Sequence, residues 1–362
     1  MRPRRVLIAA GGTGGHFYPG LVLAQTLARR GWQPLMLVRQ GDPALATLER
    51  EGIAACEAPL RGMPRALGLP LLRFGRDLVK TLSLTGRVVR DFQPAVVVGM
   101  GGYLTFPAIA AAARRGVPRA LHESNAVLGL ANKAAAKLGA SLFWGLPPVR
   151  GEGRVVGTPI RRALWERGDT AAARRALGLE PDAPTVLVFG GSQGARGINR
   201  GAPASLALAA KTCGRLQALH LAGREAAPEV EARYREAGVT AKVLTFLDQM
   251  ELAYAAADVA VCRSGASTLA ELAAQSLPAA LIPFPSAAGN HQEINARVLE
   301  RAGACRVILE RDLPARLPAV LGELLSSTGT RRSMGEAYGK LGFPRPKDCA
   351  ETLADAVEAL TK

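Results

Sequence analysis

Short apolar runs alternate with segments of helical periodicity along the whole chain. Apolar strands that lack an internal polar alternation and are separated by helices are typical of a parallel sheet covered on both faces. We therefore predict an α/β fold of doubly wound parallel sheets. The predicted strands are residues 6–10, 34–38, 95–98, 119–121 and 141–143, followed by 185–189, 216–221, 242–246, 259–261, 279–282 and 306–309.

The two halves of the chain repeat one pattern. The segments VLIAAGGTGGH and VLVFGGSQGAR each read as a strand, a glycine-rich loop and the start of a helix. Between them, residues 145–162 are rich in Gly, Pro and Arg and predict a hinge. We expect one domain over 1–157, onto which a C-terminal helix at about 345–362 packs, and a second over 158–344. Two such Rossmann-like domains facing each other across a cleft would direct both glycine loops towards one site.

The segment 69–92 has the period of an amphipathic helix. At about 100° per residue its apolar and basic side chains fall on roughly opposite faces. The apolar set is Leu71, Leu78, Leu82 and Val89, and the basic set is Arg73, Arg76, Lys80 and Arg87. A helix packed on a sheet with a solvated basic face explains this pattern, and contact with anionic lipid is the alternative.

The composition of the chain limits the classes of ligand that it is expected to bind. The formal net charge of +16 over 362 residues indicates anionic ligands such as nucleic acid, phosphorylated metabolites or an acidic membrane surface. Aromatic residues make up 5% of the chain and the signatures of common nucleic-acid modules are missing, which disfavours nucleic acid. A hydrophobic content of 48% is enough for two cores.

Cysteines and apolar windows restrict the cellular context. The five cysteines are scattered without CxxC spacing, which predicts reduced thiols rather than a metal site or a disulfide framework. The N-terminal apolar run is too short for a signal peptide. The uncharged windows 92–113 and 272–292 are interrupted by Gly or Pro, so we expect any membrane contact to be peripheral.

The first glycine loop, AAGGTGGHFYPG at 9–20, does not match a dinucleotide fingerprint. Phe17 stands where a third glycine is required, and the second strand runs into Arg39 and Gln40 rather than an acid, although Arg39 leaves NADP open. No Walker A lysine follows the loop either. We expect backbone N–H groups to bind a phosphate ahead of a helix that begins at Pro19, with a ligand-free tight turn as the alternative. His16 at the mouth of this loop is a candidate general base.

Polar residues follow several other predicted strands, where α/β sheets bind ligands. The loop GGSQGARGIN at 190–199 places Ser192 and Arg196 at a helix start and is typical of a diphosphate site. The motifs GMGGY (99–103) and HESN (122–125) end two strands of the first half. In CRSGASTLAEL (262–272), Glu271 could accept from a ribose diol and Arg263 could meet phosphate; alternatively, Thr268 and Glu271 form a capping box. GNHQEIN (289–295) offers Gln292 and His291 to sugar hydroxyls or is simply a polar helix start.

Seven motifs in order, GGTGGH, GMGGY, HESN, GTPIR, GGSQGAR, CRSGAST and NHQEIN, resemble the MurG family of peptidoglycan glycosyltransferases over nearly the whole chain. That family adds N-acetylglucosamine from UDP-N-acetylglucosamine to a lipid-linked muramyl pentapeptide. The resemblance implies a GT-B fold and inverting transfer to the muramyl C4 hydroxyl. It also implies peripheral attachment to the cytoplasmic face of the cell membrane, and neither a resident cofactor nor a metal.

The resemblance also implies roles for individual residues. His16 would be the base, with Glu123 and His122 as alternatives. Thr13, Gly14 and Gly15 would belong to the UDP-N-acetylglucosamine site and face the acceptor pyrophosphate. The rest of the UDP-N-acetylglucosamine set is Asn125, Arg161, Ser192, Leu247, Arg263, Ala266, Ser267, Thr268, Glu271 and Gln292, and the acceptor-side set is Gly12, Gly101, Gly102 and Tyr103.

Two positions depart from the family pattern, and two other functions stay open. Ser124 replaces the usual glutamine of an HEQN loop, and His291 precedes Gln292 where some relatives carry two glutamines. A UDP-N-acetylglucosamine 2-epimerase shares this architecture but needs no lipid acceptor. A nonenzymatic nucleotide or lipid carrier would bind without turnover.

Overall fold

The computed structural model describes residues 4–11, 14–64, 68–191, 194–224, 226–342 and 344–362. The chain forms two compact units. One contains the residues up to Arg161 together with the segment that follows Gly342, and the other is Arg162–Gly342. Most of the segment predicted as a hinge therefore belongs to the first unit.

The first unit is built on a seven-stranded parallel sheet in the order β3-β2-β1-β4-β5-β6-β7. Its strands are β1 (Arg5–Ala9), β2 (Gln33–Arg39), β3 (Ala54–Ala58), β4 (Val96–Gly99), β5 (Arg119–Glu123), β6 (Ser141–Trp144) and β7 (Arg154–Val155). Its helices before the boundary are α1 (Gly14–Arg29), α2 (Leu45–Arg50), α3 (Leu69–Phe92), α4 (Thr105–Arg114) and α5 (Leu130–Ala136).

Both faces of this sheet are covered, as its apolar strands require. Val6 and Ile8 of β1 pack with α1 on one face, while Leu7 and Ala9 pack with α3 and α4 on the other. The helix α1 begins at Gly14, so the predicted start at Pro19 is wrong. Pro19 lies inside this helix, where it has no N–H to donate to the carbonyl of Gly15, four positions earlier.

The second unit contains a six-stranded parallel sheet in the order β10-β9-β8-β11-β12-β13. Its strands are β8 (Thr185–Phe189), β9 (Gln217–Leu221), β10 (Thr240–Leu244), β11 (Val259–Cys262), β12 (Ala279–Leu281) and β13 (Cys305–Val307). Its helices are α6 (Thr170–Ala176), α7 (Arg196–Cys213), α8 (Ala227–Glu236), α9 (Met250–Ala256), α10 (Ala266–Ala274), α11 (His291–Arg301), α12 (Leu313–Ser326) and α13 (Thr328–Ala337).

The last helix, α14 (Pro346–Ala359), packs on α1 of the first unit. Leu353 and Val357 join the core beneath α1. At the rim, the Arg30 guanidinium contacts three carboxylates of α14, those of Glu351, Asp355 and Glu358, at 2.5 to 2.8 Å. Apolar burial and this cluster of charges together tie the C-terminus to the first sheet.

The helix α3 spans 69–92 as predicted, but its buried face differs from the predicted one. Leu78 and Val89 pack on the core, whereas Leu71 is exposed. The fully buried positions include Thr81 and Thr85, whose hydroxyls donate to the carbonyls of Asp77 and Thr81 within the helix. This internal hydrogen bonding removes the cost of burying a polar side chain, which apolar periodicity does not register. No described helix is both long and apolar enough to span a bilayer.

Candidate active site

The candidate residues of the first unit lie at or beyond the carboxyl ends of its strands. His16 is in the first turn of α1, which follows β1, and its imidazole lies against the backbone of Gly101 and Gly102 after β4. A Cβ atom at Gly101 would lie 2.7 Å from Cδ2 and 2.9 Å from Nε2 of His16, and Gly101 has a φ of +98°. Glycine is therefore required on both steric and conformational grounds. The predicted base and two predicted acceptor-side glycines are brought together here, while Gly12 and Thr13 lie outside the described residues.

Tyr103 continues this edge of the first unit. Its ring is 40% exposed and meets the edge of Phe74 in α3, with 6.0 Å between the ring centroids. Arg161, at the end of the first unit, places its guanidinium 5.0 Å from the ring centroid of Tyr18 in α1. Such stacking stabilises a guanidinium without removing its hydrogen-bonding edge. Arg161 thus lies against the helix that carries His16.

His122 is fully buried in β5. Its Nε2 donates to the carbonyl of Gly157 at 2.9 Å, which leaves Nδ1 as the acceptor, and the Ser124 hydroxyl approaches Nδ1 at 3.4 Å. Burial lowers the pKa of His122, against the opposing effects of the Gly157 carbonyl and the Glu123 charge. The side chain links β5 to the loop after β7, and its complete burial favours the less buried His16 as the base.

Glu123 is also buried, and its carboxylate is surrounded by N–H donors. It accepts hydrogen bonds from the backbone of Asn125 and Gly129 and from the side-chain amides of Asn125 and Asn132. Asn132, in α5, was missed by the sequence analysis. Asn132 is 1% exposed within an alanine-rich helix, and a polar side chain buried there is expected to make hydrogen bonds.

In the second unit the glycine loop after β8 leads into α7. Ser192 lies outside the described residues. Gly194 has a φ of +72° and presses on the carbonyl of Ala222, so a side chain there would collide with that backbone. The first backbone N–H groups of α7 have no partner within the helix and point towards the loop, as an anion site requires.

Arg263 engages its guanidinium with oxygen atoms of the protein. It is 8% exposed and donates to the carbonyls of Ile282 and Pro283, at 3.2 and 3.1 Å, while its Nη2 lies 2.5 Å from a Glu310 carboxylate oxygen. The Glu310 carboxylate in turn packs against Gly197 in the first turn of α7. The observed role of Arg263 is to neutralise Glu310 beside that turn, and a phosphate contact by Arg263 stays a prediction.

The helix α10 begins at Ala266, so Ala266, Ser267 and Thr268 form its first turn. The capping-box alternative is wrong, because no side chain caps this helix. Glu271 instead accepts from the hydroxyl of the buried Tyr254, at 2.7 Å to its Oε2. This contact orients the carboxylate on the helix face, and Tyr254 was not found by the sequence analysis.

Gln292 and Leu247 follow β12 and β10. The Oε1 of Gln292 accepts from the backbone N–H of Phe284 at 2.9 Å, which makes Nε2 the outward-facing donor of this amide. His291 donates from Nδ1 to the carbonyl of Ala288, at 2.8 Å, and is half-buried. Leu247 lies in the turn between β10 and α9 and is half-buried. No three His, Cys, Asp or Glu side chains are grouped as metal ligands within the described residues.

Two family models match the chain. Residues 6–143 match the glycosyltransferase family 28 N-terminal domain and residues 185–348 match the family's C-terminal domain. The crystal structure of MurG from Acinetobacter baumannii superposes with a TM-score of 0.76 at 26% identity, covering 99% of this chain and 100% of that one. Together with the two parallel sheets, these matches confirm the predicted GT-B fold class.

Two curated relatives extend this likeness over the full length. The UDP-N-acetylglucosamine–N-acetylmuramyl-(pentapeptide) pyrophosphoryl-undecaprenol N-acetylglucosamine transferase of Elusimicrobium minutum is 36% identical, covering 99% of this chain and 100% of its own. The transferase of the same name from Halorhodospira halophila is 40% identical, and the match covers 99% of each chain. The chain therefore belongs to the MurG family of N-acetylglucosamine transferases.

Proposed function

We propose that the protein transfers N-acetylglucosamine from UDP-N-acetylglucosamine to the C4 hydroxyl of a lipid-linked N-acetylmuramyl pentapeptide, with inversion at the anomeric carbon. The observation that carries the proposal is the identity of 36% and 40% to transferases of that name over nearly the full chain. The placement of the predicted residues supports it, because those in the described part of the chain lie at or beyond carboxyl ends of strands.

His16 is the base of this reaction. As the acceptor oxygen attacks the anomeric carbon, its proton passes to the imidazole, and the bond from that carbon to the diphosphate oxygen breaks. UDP leaves with the bonding electrons. The N-terminus of α7 faces the departing diphosphate and stabilises its charge, so the reaction needs no resident metal or cofactor.

One assay tests the function. The protein is incubated with radiolabelled UDP-N-acetylglucosamine and a short-chain lipid-linked muramyl peptide, in the presence and absence of EDTA. We expect labelled lipid and free UDP in both cases. An epimerised sugar nucleotide without labelled lipid would show that the protein is an epimerase instead. Binding of the nucleotide without turnover would show that it is a nonenzymatic carrier.

Replacing Gly101 with alanine is expected to lower kcat by about tenfold to a hundredfold, because a misplaced catalytic group loses about this much. The new Cβ must displace the His16 imidazole, and a φ of +98° strains any side chain. Steady-state kinetics measure the effect. Gly116→Ala, at a φ of +66° with nothing near the new atom, is the matched control for backbone strain. Equal kcat values for the two variants would contradict contact with His16 as the cause.

Replacing Glu271 with alanine is expected to raise the KM for UDP-N-acetylglucosamine by about tenfold or more, since hydrogen bonds to a charged group contribute about 1.5 to 3 kcal/mol. Tyr254→Phe keeps the carboxylate but removes the 2.7 Å hydrogen bond that orients it, so a smaller increase in KM is expected. Steady-state kinetics give the KM for UDP-N-acetylglucosamine in each variant. Competition by uridine diphosphate and by 2′-deoxyuridine diphosphate gives the preference for the ribose 2′-hydroxyl. An unchanged preference for the ribo form in Glu271→Ala would contradict the ribose contact.

We propose that the first unit binds the cytoplasmic surface of an anionic membrane through the start of α3. Leu72 and Val79 are 71% and 66% exposed, and Leu69 and Met63 are exposed as well. Beside them Arg61, Arg73, Arg76 and Lys80, with Asp77 as the only acid, line a pocket of about 700 Å³. Basic side chains next to exposed apolar ones fit anionic headgroups above an acyl layer.

The double substitution Leu72→Ser with Val79→Ser is expected to reduce binding to phosphatidylglycerol vesicles by about tenfold, because each buried methylene contributes about 0.8 kcal/mol. Sedimentation with vesicles measures the bound fraction, and phosphatidylcholine vesicles show the contribution of lipid charge. Leu208→Ser, at an exposed apolar position of α7, is the control and should leave binding unchanged. Equal losses in both variants would contradict a specific contact through α3.

A further inference from the structure

The strongest unassigned feature is the buried carboxylate of Glu123, which is 3% exposed. Its Oε1 accepts from the backbone N–H and the Nδ2 of Asn125, at 3.1 and 2.8 Å. Its Oε2 accepts from the backbone N–H of Gly129 and from Nδ2 of Asn132, both at 2.9 Å. Four donors thus converge on one acceptor-only group that joins the end of β5 to the start of α5.

This arrangement determines the orientation of the Asn125 side chain. A carboxylate accepts hydrogen bonds and donates none, so only the Nδ2 side of the amide can face Glu123. The Oδ1 atom lies on the other side of the amide, directed away from the carboxylate. Asn132 is held in the same way, because its Nδ2 also donates to the carbonyl of His122 at 3.2 Å.

We propose that Glu123 is a positioning residue that presents the Oδ1 of Asn125 as a hydrogen-bond acceptor for a hydroxyl of the donor sugar. The inference rests on the proposed function, in which Asn125 contacts that sugar. Both carboxylate oxygens of Glu123 are already engaged with N–H groups, so its task is orientation rather than proton transfer. The Oδ1 of Asn125 then selects a hydrogen-bond donor such as a hydroxyl, since a second hydrogen-bond acceptor at that point would be repelled.

Two single substitutions disrupt the arrangement from either side. In Glu123→Gln an NH2 group faces N–H donors, so the side chain at position 123 no longer orients the Asn125 amide. In Asn125→Asp two carboxylates stand where a donor and an acceptor lay 2.8 Å apart, and they cannot both ionise. Each variant is expected to weaken UDP-N-acetylglucosamine binding by about tenfold or more, as loss of one buried hydrogen bond does. UDP, which lacks the sugar, should bind as it does to the wild type.

The reciprocal double variant, Glu123→Gln with Asn125→Asp, restores the match between the two side chains, while the backbone N–H of Asn125 loses its acceptor. The Gln Nε2 donates to one Asp oxygen, and the other Asp oxygen again faces outward as an acceptor. Calorimetry should show UDP-N-acetylglucosamine binding at least about tenfold tighter than to Asn125→Asp alone, which is the coupling expected of two residues in contact. Glu57→Gln, at an exposed carboxylate with one backbone donor, is the control for lost charge and should bind normally.

The outcomes separate the inference from the function. The positioning role would be overturned if the double variant lost affinity for UDP-N-acetylglucosamine by the product of the two single losses. It would also be overturned if Glu123→Gln bound UDP-N-acetylglucosamine normally. Labelled lipid product from the wild type would still establish the transferase. Coupled binding without any lipid product would instead support the positioning role and contradict the proposed function.

Discussion

The His16→Ala variant is expected to turn over about two to four orders of magnitude more slowly than the wild type, which is the usual contribution of a general base. Its affinity for UDP-N-acetylglucosamine should stay within about threefold, because the side chain acts on the acceptor proton rather than on the nucleotide. The imidazole lies against the backbone of Gly101 and Gly102, which supports it. Removing the ring leaves that support intact, so loss of chemistry is not confused with collapse of the loop.

A second histidine supplies the control for this prediction. His291 is half-buried, and its side chain donates a hydrogen bond to the carbonyl of Ala288. His291→Ala should keep kcat near the wild-type value. Single-turnover rates with saturating donor, measured beside the donor dissociation constant, distinguish chemistry from binding. A His16→Ala rate close to that of His291→Ala would remove His16 from the mechanism and return Glu123 and His122 to consideration.

Central strands of both sheets could be predicted from the sequence, whereas edge strands could not be predicted reliably. The eleven apolar runs all correspond to strands, but β3 and β7 were missed. Both lie at the edges of the first sheet, where β3 buries only its last residue and β7 has two residues. The predicted 242–246 begins two positions late for the edge strand β10. Edge strands are half-solvated, so their apolar signal is weak and pairing with a neighbour determines their bounds.

The placement of the candidate residues at the ends of strands was predictable, whereas their supporting contacts were not. Glycine loops and polar residues after apolar runs indicate ligand-binding ends of strands, and this needs only local sequence. The partners of those residues are distant in sequence: Glu310 holds Arg263, and Tyr254 holds Glu271. Glu310 becomes adjacent to Arg263 because parallel strands bring their carboxyl ends to one edge, and Tyr254 reaches Glu271 from the helix α9 that precedes β11. Residue spacing carries no signal for such pairs.

Acidification is expected to destabilise the second unit through His220, the buried histidine of β9. Its Nε2 faces the Oδ1 of Asn199 at 3.1 Å, and the Nδ2 of Asn199 donates to the carbonyl of Ala222 at 2.8 Å. Nε2 therefore carries the hydrogen, and Nδ1 accepts from the Tyr234 hydroxyl at 3.0 Å. Burial lowers the pKa of His220 to about 3, so the folded side chain is neutral over most of the acid range.

The sign of the effect follows from proton binding. An unfolded histidine takes up a proton near pH 6.5, whereas the folded His220 does so only near its pKa of about 3. Between these values the unfolded state binds more protons, so the free energy of unfolding falls as the pH falls. The loss reaches roughly 3 kcal/mol by pH 4, while above pH 6.5 the full stability is present. The lowered pKa of His122 adds a loss of the same sign in the first unit.

Comparing the wild type with His220→Gln isolates this contribution, because glutamine offers one donor and one acceptor but does not titrate. Urea unfolding at pH 7 and pH 4 should show the stability advantage of the wild type shrinking by about 3 kcal/mol, with the His122 contribution cancelling between the two proteins. Tyr234→Phe removes one hydrogen bond yet keeps the imidazole, so it should lose about 1 kcal/mol at both pH values and retain the wild-type pH dependence. Parallel pH dependences for the wild type and His220→Gln would show that the folded imidazole is protonated as readily as the unfolded one, contrary to its burial between Asn199 and Tyr234.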